Sequence, residues 1–109
     1  MDTISFDEFK KVEIRIGKVL SCEKVENADK LLKLEVDFGE EVGKRQIVSG
    51  IAQWYEEKDL IGKKMPFVVN LEPRKLRGLE SQGMIMAVDS EKPVLLLPQE
   101  DVAEGSEVI

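Results

Sequence analysis

The 109-residue sequence predicts an all-β fold, a small five-stranded barrel with short helices and extra strands towards its C-terminus. Three observations predict it. Short apolar stretches recur at regular spacing, separated by glycine, proline, asparagine or aspartate. The first of them changes its apolar parity midway, as a strand bent around a closed sheet does. One helical stretch falls between the third and fourth strands, and no repeat or heptad is present.

Ser5-Phe6-Asp7-Glu8 has the spacing of a capping box and predicts a helix from Phe6 to about Lys11. Val12, Ile14 and Ile16 alternate with Glu13 and Arg15, the pattern of a half-buried strand. That alternation breaks at Gly17-Lys18 and resumes out of phase at Val19, so a bulge is expected at the glycine. After a turn at Asn27-Ala28-Asp29, Leu32, Leu34, Val36 and Phe38 alternate with charged residues and give the clearest strand. Gly39 to Gly43 makes a connection, and Gln46 to Ser49 reads as a third strand stopped by Gly50. Ile51 to Leu60 reads as the short helix. Met65 to Leu71 is the fourth strand, with Pro66 expected to hold it to an early or edge position. Met84 to Val88 is the fifth, Val94 to Leu97 a sixth, and Gln99 to Ile109 an acidic tail. Short strands with a helix between the third and fourth match the OB type of barrel.

The hydrophobic fraction is 42% and the charged fraction 35%, a globular composition with a heavily charged surface, and residues 1–109 read as one domain. No apolar run approaches the roughly 20 residues of a bilayer span. Met1 to Ser5 lacks the basic-then-apolar order of a secretory signal. Cys22 is the only cysteine, which excludes an internal disulfide and points to a reducing, cytoplasmic setting. There is no histidine, the commonest general base and metal ligand. The acidic residues are scattered among lysines. Neither a catalytic centre nor a metal or cofactor site is therefore expected, and Cys22 reads as a small buried apolar residue.

The net charge of −6 opposes nucleic-acid binding only as an average. From Lys63 to Gly78, five cations face one carboxylate, a net of +4, whereas Asp89 to Ile109 carries −5. Arg74, Lys75 and Arg77 fall within four residues, between Pro73 and Gly78. Cations this close repel one another, and an anion such as a phosphate backbone relieves the repulsion. A solvated basic turn is the competing reading for the island taken alone.

Five segments carry a resemblance to a known family: Val12-Glu13-Ile14-Arg15-Ile16-Gly17-Lys18-Val19, Asn27 to Leu34, Arg45 to Ile51, Leu60 to Lys64, and Asn70 through Pro73-Arg74-Lys75-Leu76-Arg77-Gly78 to Ser81-Gln82-Gly83-Met84. Together they resemble the tRNA-binding domain found at the C-terminus of methionyl-tRNA synthetases, in free-standing tRNA-binding proteins and in the phenylalanyl synthetase β subunit. The likeness runs from about Val12 to Ile109. It implies an OB barrel that binds tRNA through shape and backbone, and a homodimer built by elements outside the barrel. The implied activity is non-catalytic, the domain acting beside a methionyl-tRNA synthetase catalytic subunit or as part of that enzyme, with no membrane attachment. On this resemblance Asn70, Arg74, Lys75 and Arg77 are expected to touch phosphate or sugar. Ser81 and Met84 match its Ser-x-x-Met positions, and Lys30 and Lys33 its basic positions on the neighbouring strand. Many members carry His-Pro where this chain has Glu26-Asn27.

Aromatic residues make up 6% of the chain, thin for a stacking platform. Phe38 and Phe67 are expected in the core, and Trp54 and Tyr55 at the barrel end, so recognition of a folded RNA shape is favoured. Two other readings stand beside this one. A dimeric OB-fold export chaperone would bind unfolded polypeptide. A purely structural dimerisation module would use the apolar run Val94-Leu95-Leu96-Leu97 as its covered face.

Overall fold

The structure, a computed structural model, describes every residue from Met1 to Ile109. The elements in order are α1 (Phe6–Phe9), β1 (Ile14–Val25), β2 (Ala28–Asp37), α2 (Gly39–Val42), β3 (Lys44–Ser49), α3 (Glu57–Leu60), β4 (Lys64–Val68), β5 (Arg74–Leu76), β6 (Leu79–Ser81), β7 (Met84–Ile85), β8 (Ala87–Asp89) and β9 (Pro93–Leu95). Five strands form one antiparallel sheet in the order β3-β2-β1-β4-β7, while β5-β6 and β8-β9 are separate hairpins. The all-β, OB-like expectation holds, with short helices and extra C-terminal strands. No helix is long and apolar enough to cross a membrane.

Alternation places the core. Leu32, Leu34 and Val36 of β2 point inward and are almost fully buried, while Lys33 and Glu35 between them face outward. Phe38 and Phe67 meet edge-to-face, ring centres 5.3 Å apart, both with no exposed surface. The outer strands approach each other through the residues just before β7. Gln82 donates its backbone N–H to the Gln46 carbonyl at 2.8 Å, and the Gln46 N–H donates to Gln82 Oε1 at 3.0 Å. Gly83 permits this approach, because a Cβ there would lie 2.9 Å from Ile47 Cδ1.

Several local expectations are corrected. The strand irregularity does not lie at Gly17, which pairs in regular register with Met65; the shift falls between Val19 and Ser21 against β2. Gly17 answers a demand for space: a Cβ there would lie 2.5 Å from the Phe38 ring and nearer still to Val36. Pro66 sits mid-strand in β4, opposite Ile16, with strands on both sides. Its missing N–H is tolerated because the β7 ladder covers only Phe67 and Val68, and its carbonyl accepts from the Met86 N–H at 3.1 Å.

The expected helix from Ile51 shortens to α3, because the Glu56 N–H is captured by the Asp59 carboxylate at 2.8 Å while Glu56 itself is extended. Helix α1 likewise ends at Phe9, although its capping box forms as expected. The fourth strand ends at Val68, and the expected fifth strand divides at Met86 into β7 and β8.

The tail is part of the fold. Ser106 to Val108 runs along the first half of β1, with the Ile16 N–H donating to Ser106 O at 2.9 Å and the Val108 N–H to Ile14 O at 2.9 Å. Arg15, whose place in the alternation suggests a wet face, is only 6% exposed. Its guanidinium donates to Gly105 O at 3.0 Å and pairs with Glu13, Glu41 and Glu107 at 2.6 to 3.3 Å. A second anchor is Lys64, whose Nζ lies 2.8 Å from Asp101 and 3.3 Å from Glu104.

That anchor has a pH signature. The Lys64 hydrogen bond holds Asp101 below its ordinary value of 3.8. Glu104 is held below 4.5, first by a backbone hydrogen bond and then by Lys64. A lowered carboxylate pKa stabilises the fold above the unfolded-state pKa and loses that contribution as pH falls through the folded value. Thermal melts of Lys64→Met should therefore lie below wild type at neutral pH, with the gap closing below about pH 4. A gap independent of pH would assign the role of Lys64 to its apolar stem.

Candidate nucleic-acid interface

The basic island, read from sequence as a loop, is a β-hairpin. Arg74 pairs with Ser81, Lys75 with Glu80 and Leu76 with Leu79, leaving Arg77-Gly78 as a two-residue turn. Both turn residues have positive φ, 51° and 81°, the geometry of a type I′ connection. Gly78 adopts it freely, but Arg77 is held in a conformation that non-glycine residues seldom adopt. Arg74, Lys75 and Arg77 are exposed and form no ion pair.

Side chains and single backbone groups, rather than a ladder, fasten this hairpin to the barrel. Ser81 is 4% exposed; its hydroxyl accepts from the Val48 N–H at 2.9 Å and donates to Gly83 O at 2.9 Å. Gln46 Nε2 donates to Glu80 O at 2.8 Å, and the Arg45 guanidinium donates to the Val69 and Gln82 carbonyls. Asn70 ties the entry to the hairpin: its Oδ1 accepts from the Glu13 N–H at 2.8 Å and its Nδ2 donates to Lys11 O. Both polar ends of Asn70, and the hydroxyl of Ser81, are thus engaged within the protein. Arg45 and Gln46 were missed as site residues, since their part in seating the hairpin depends on contacts more than 20 residues away in sequence.

The hairpin faces the turn between β1 and β2. Asn27 to Leu31 and Lys75, Leu76 and Arg77 line one open cleft of about 460 Å³. Lys30, which is exposed and has no ion partner, joins Lys75 and Arg77 there. The β1–β2 turn and the connection before the last barrel strand are the loops through which OB folds hold oligonucleotides. Asn27 closes its turn at φ 62°, a conformation closed to proline, so this turn differs in shape from a His-Pro one.

The other expected residues fall elsewhere. Lys33 projects from the outer face of β2 and is paired with Glu23 at 2.7 Å. Met84 of β7 is 48% exposed and lines a separate groove with Trp54. The net +4 counted from Lys63 to Gly78 also divides in space, because Lys64 is paired with the acidic tail while the hairpin cations are not.

Comparison with known proteins identifies the family of the chain. Residues 14–107 match the family described as "Putative tRNA binding domain". The chain is 47% identical to methionine–tRNA ligase of Caldanaerobacter subterraneus subsp. tengcongensis over 109 residues, 99% of this chain and 17% of that protein. It is 54% identical to the Deinococcus radiodurans methionine–tRNA ligase over 88 residues, 81% of this chain and 13% of the relative. The chain thus spans about one sixth of the length of such ligases. Among solved structures, the MetRS-related protein of Pyrococcus horikoshii is 42% identical, with a TM-score of 0.90 and all of both chains covered. The chaperone CsaA of Bacillus anthracis also superposes at a TM-score of 0.90, with 30% identity over 99% of this chain and 100% of its own. A family match over residues 14–107, with methionine–tRNA ligases 47% and 54% identical to the chain, establishes that this chain belongs to the tRNA-binding domain family of the methionyl-tRNA synthetase type.

Proposed function

We propose that the chain binds tRNA through its sugar-phosphate backbone, on the surface where the β5–β6 hairpin meets the β1–β2 turn. The observation that carries this reading is the convergence of three cations, Lys30, Lys75 and Arg77, on one cleft whose single carboxylate, Asp29, forms an ion pair with none of them. Arg77 and Arg74 offer forked donors to phosphate, and Lys75 and Lys30 point charge. Ser81 acts by holding the hairpin, because its buried hydroxyl is already bonded inside the protein, while exposed Asn70 fastens the hairpin entry and keeps a second amide N–H for phosphate or sugar. Lys33 lends a weaker, screened charge at the margin. The domain is non-catalytic and cytoplasmic. It raises the local tRNA concentration for a methionyl-tRNA synthetase catalytic unit, whether joined to it or bound as a separate subunit.

The same reading includes a homodimer. Helix α1 buries none of its own residues, with Phe6 70% and Phe9 43% exposed, and it lies beside the exposed Val108 and Ile109 of the tail. This face is a better candidate for a partner copy than Val94 to Leu97, where Leu95 is packed against the core.

Titration of folded tRNA across a salt series tests the proposal. Each phosphate contact should add about 0.7 to 0.9 to the negative slope of log K against log salt. A flat response, or equal affinity for unstructured RNA, would remove it. The fold shared with the CsaA structure keeps a second reading in view, and suppression of aggregation of an unfolded client without tRNA binding would favour that one.

A further inference from the structure

Trp54, expected to pack the barrel end, is 44% exposed, while its neighbour Tyr55 takes the packing role and donates its hydroxyl proton to Pro93 O at 2.6 Å. Trp54 opens onto a groove of about 520 Å³ with Ile51, Met84, Val88 and Leu96 among its apolar walls. Met84, Val88 and Leu96 are 48%, 46% and 37% exposed, so the groove presents apolar surface to water on several sides. Though separate from the basic cleft, it is linked to it through the backbone. Ser49, Ile51 and Trp54 line the groove, and the Ala52 N–H, between two of them, donates to Lys30 O at 3.1 Å. Lys30 in turn lines the cleft with Lys75 and Arg77. One backbone hydrogen bond therefore joins a residue of the cationic cleft to the segment that carries the indole.

We propose that this groove takes an unpaired base of the same tRNA whose backbone lies on the hairpin, with the base stacked on the Trp54 indole and against Met84. The inference rests on the tRNA reading above and adds a base-binding site to it. The charges favour this orientation. Asp89 and Glu91 stand at the groove and repel phosphate, whereas their carboxylates accept hydrogen bonds from the amino groups of a base. Lys92 also lines the groove, but its ammonium is held over the Tyr55 ring, 5.3 Å from the ring centre, so two carboxylates stand there against one engaged cation. A nucleotide lodged here thus keeps its backbone towards Lys30 and its base towards Trp54. Stacking on an aromatic face tolerates any base, so the site adds affinity without selecting sequence.

Trp54 is the only tryptophan, and its emission reports directly on the groove. Titrating the full chain with folded tRNA should quench that emission at the same midpoint as a mobility-shift assay. Trp54→Ala should weaken binding about tenfold, Trp54→Phe should restore most of it, and neither should change the salt slope, since no phosphate contact is lost. Trp54 lies outside the core, and circular dichroism and melting of both variants should match wild type. Normal tRNA binding with unchanged emission and wild-type affinity in Trp54→Ala would overturn the groove and leave the hairpin reading standing. Absence of tRNA binding in the wild type would overturn both. Quenching by an unfolded apolar polypeptide but not by tRNA would make the groove a polypeptide site and overturn the proposal.

Discussion

Replacing Arg74, Lys75 and Arg77 together by alanine should lower tRNA affinity about a hundredfold and reduce the salt slope by about 2 to 3. The three side chains are exposed, make no ion pair and support no core contact, so the melting temperature should stay close to wild type. The hairpin itself should persist, because Leu76, Leu79 and the Gln46, Ser81 and Gln82 bonds are untouched. Ser81→Ala provides the contrast. It removes the acceptor for the buried Val48 N–H, so affinity should fall through loss of hairpin alignment while the salt slope remains that of wild type. Equal slopes for wild type and the triple variant would move the phosphate contacts to another face. An unchanged affinity would refute the hairpin as an RNA-binding element.

Gly17→Ala should destabilise the fold by about 3 kcal/mol, a large share of the 5–15 kcal/mol typical of a domain. The added methyl would lie 2.5 Å from the Phe38 ring, with Val36 Cγ1 nearer still. Neither side chain has free space to retreat into, since both are fully buried. Backbone conformation is not the reason, for Gly17 is absent from the residues of positive φ and its register with Met65 is regular. A bulge glycine with ordinary dihedrals would accept alanine at little cost, so urea denaturation of this variant separates the two explanations. Val36→Ala removes the nearest opposing atom, and the double variant should be more stable than the two single losses add up to. Strict additivity would mean that Gly17 and Val36 do not share the crowded volume.

The contrast between those two glycine explanations shows where reading the sequence succeeds. Period-two alternation located β1 and β2, and in β2 it holds because one face meets the core and the other meets water, whereas the first half of β1 is buried on both faces. The capping box at Ser5 was legible because its bonds close within three residues. The basic island was visible as charge. Its form as a hairpin was not, since Arg77 in a left-handed conformation is an exception to residue preference that the two-residue turn requires. Arg15 read as a surface charge, yet it is buried because the tail returns from more than 80 residues away to cover it.

By itself, the sequence determined an all-β barrel, a net-positive segment and membership of a recognisable family. These depend on local spacing and on motifs that recur in order along the chain. Only the tertiary structure decided which cations stay free, which polar residues are fasteners and where an exposed tryptophan lies. Lys33 and Lys64 are cancelled by carboxylates distant in sequence or brought across a strand pair, whereas Lys30, Lys75 and Arg77 meet on one cleft. The physical reason is that charge acts through space, and a folded chain sets those distances by its long-range contacts.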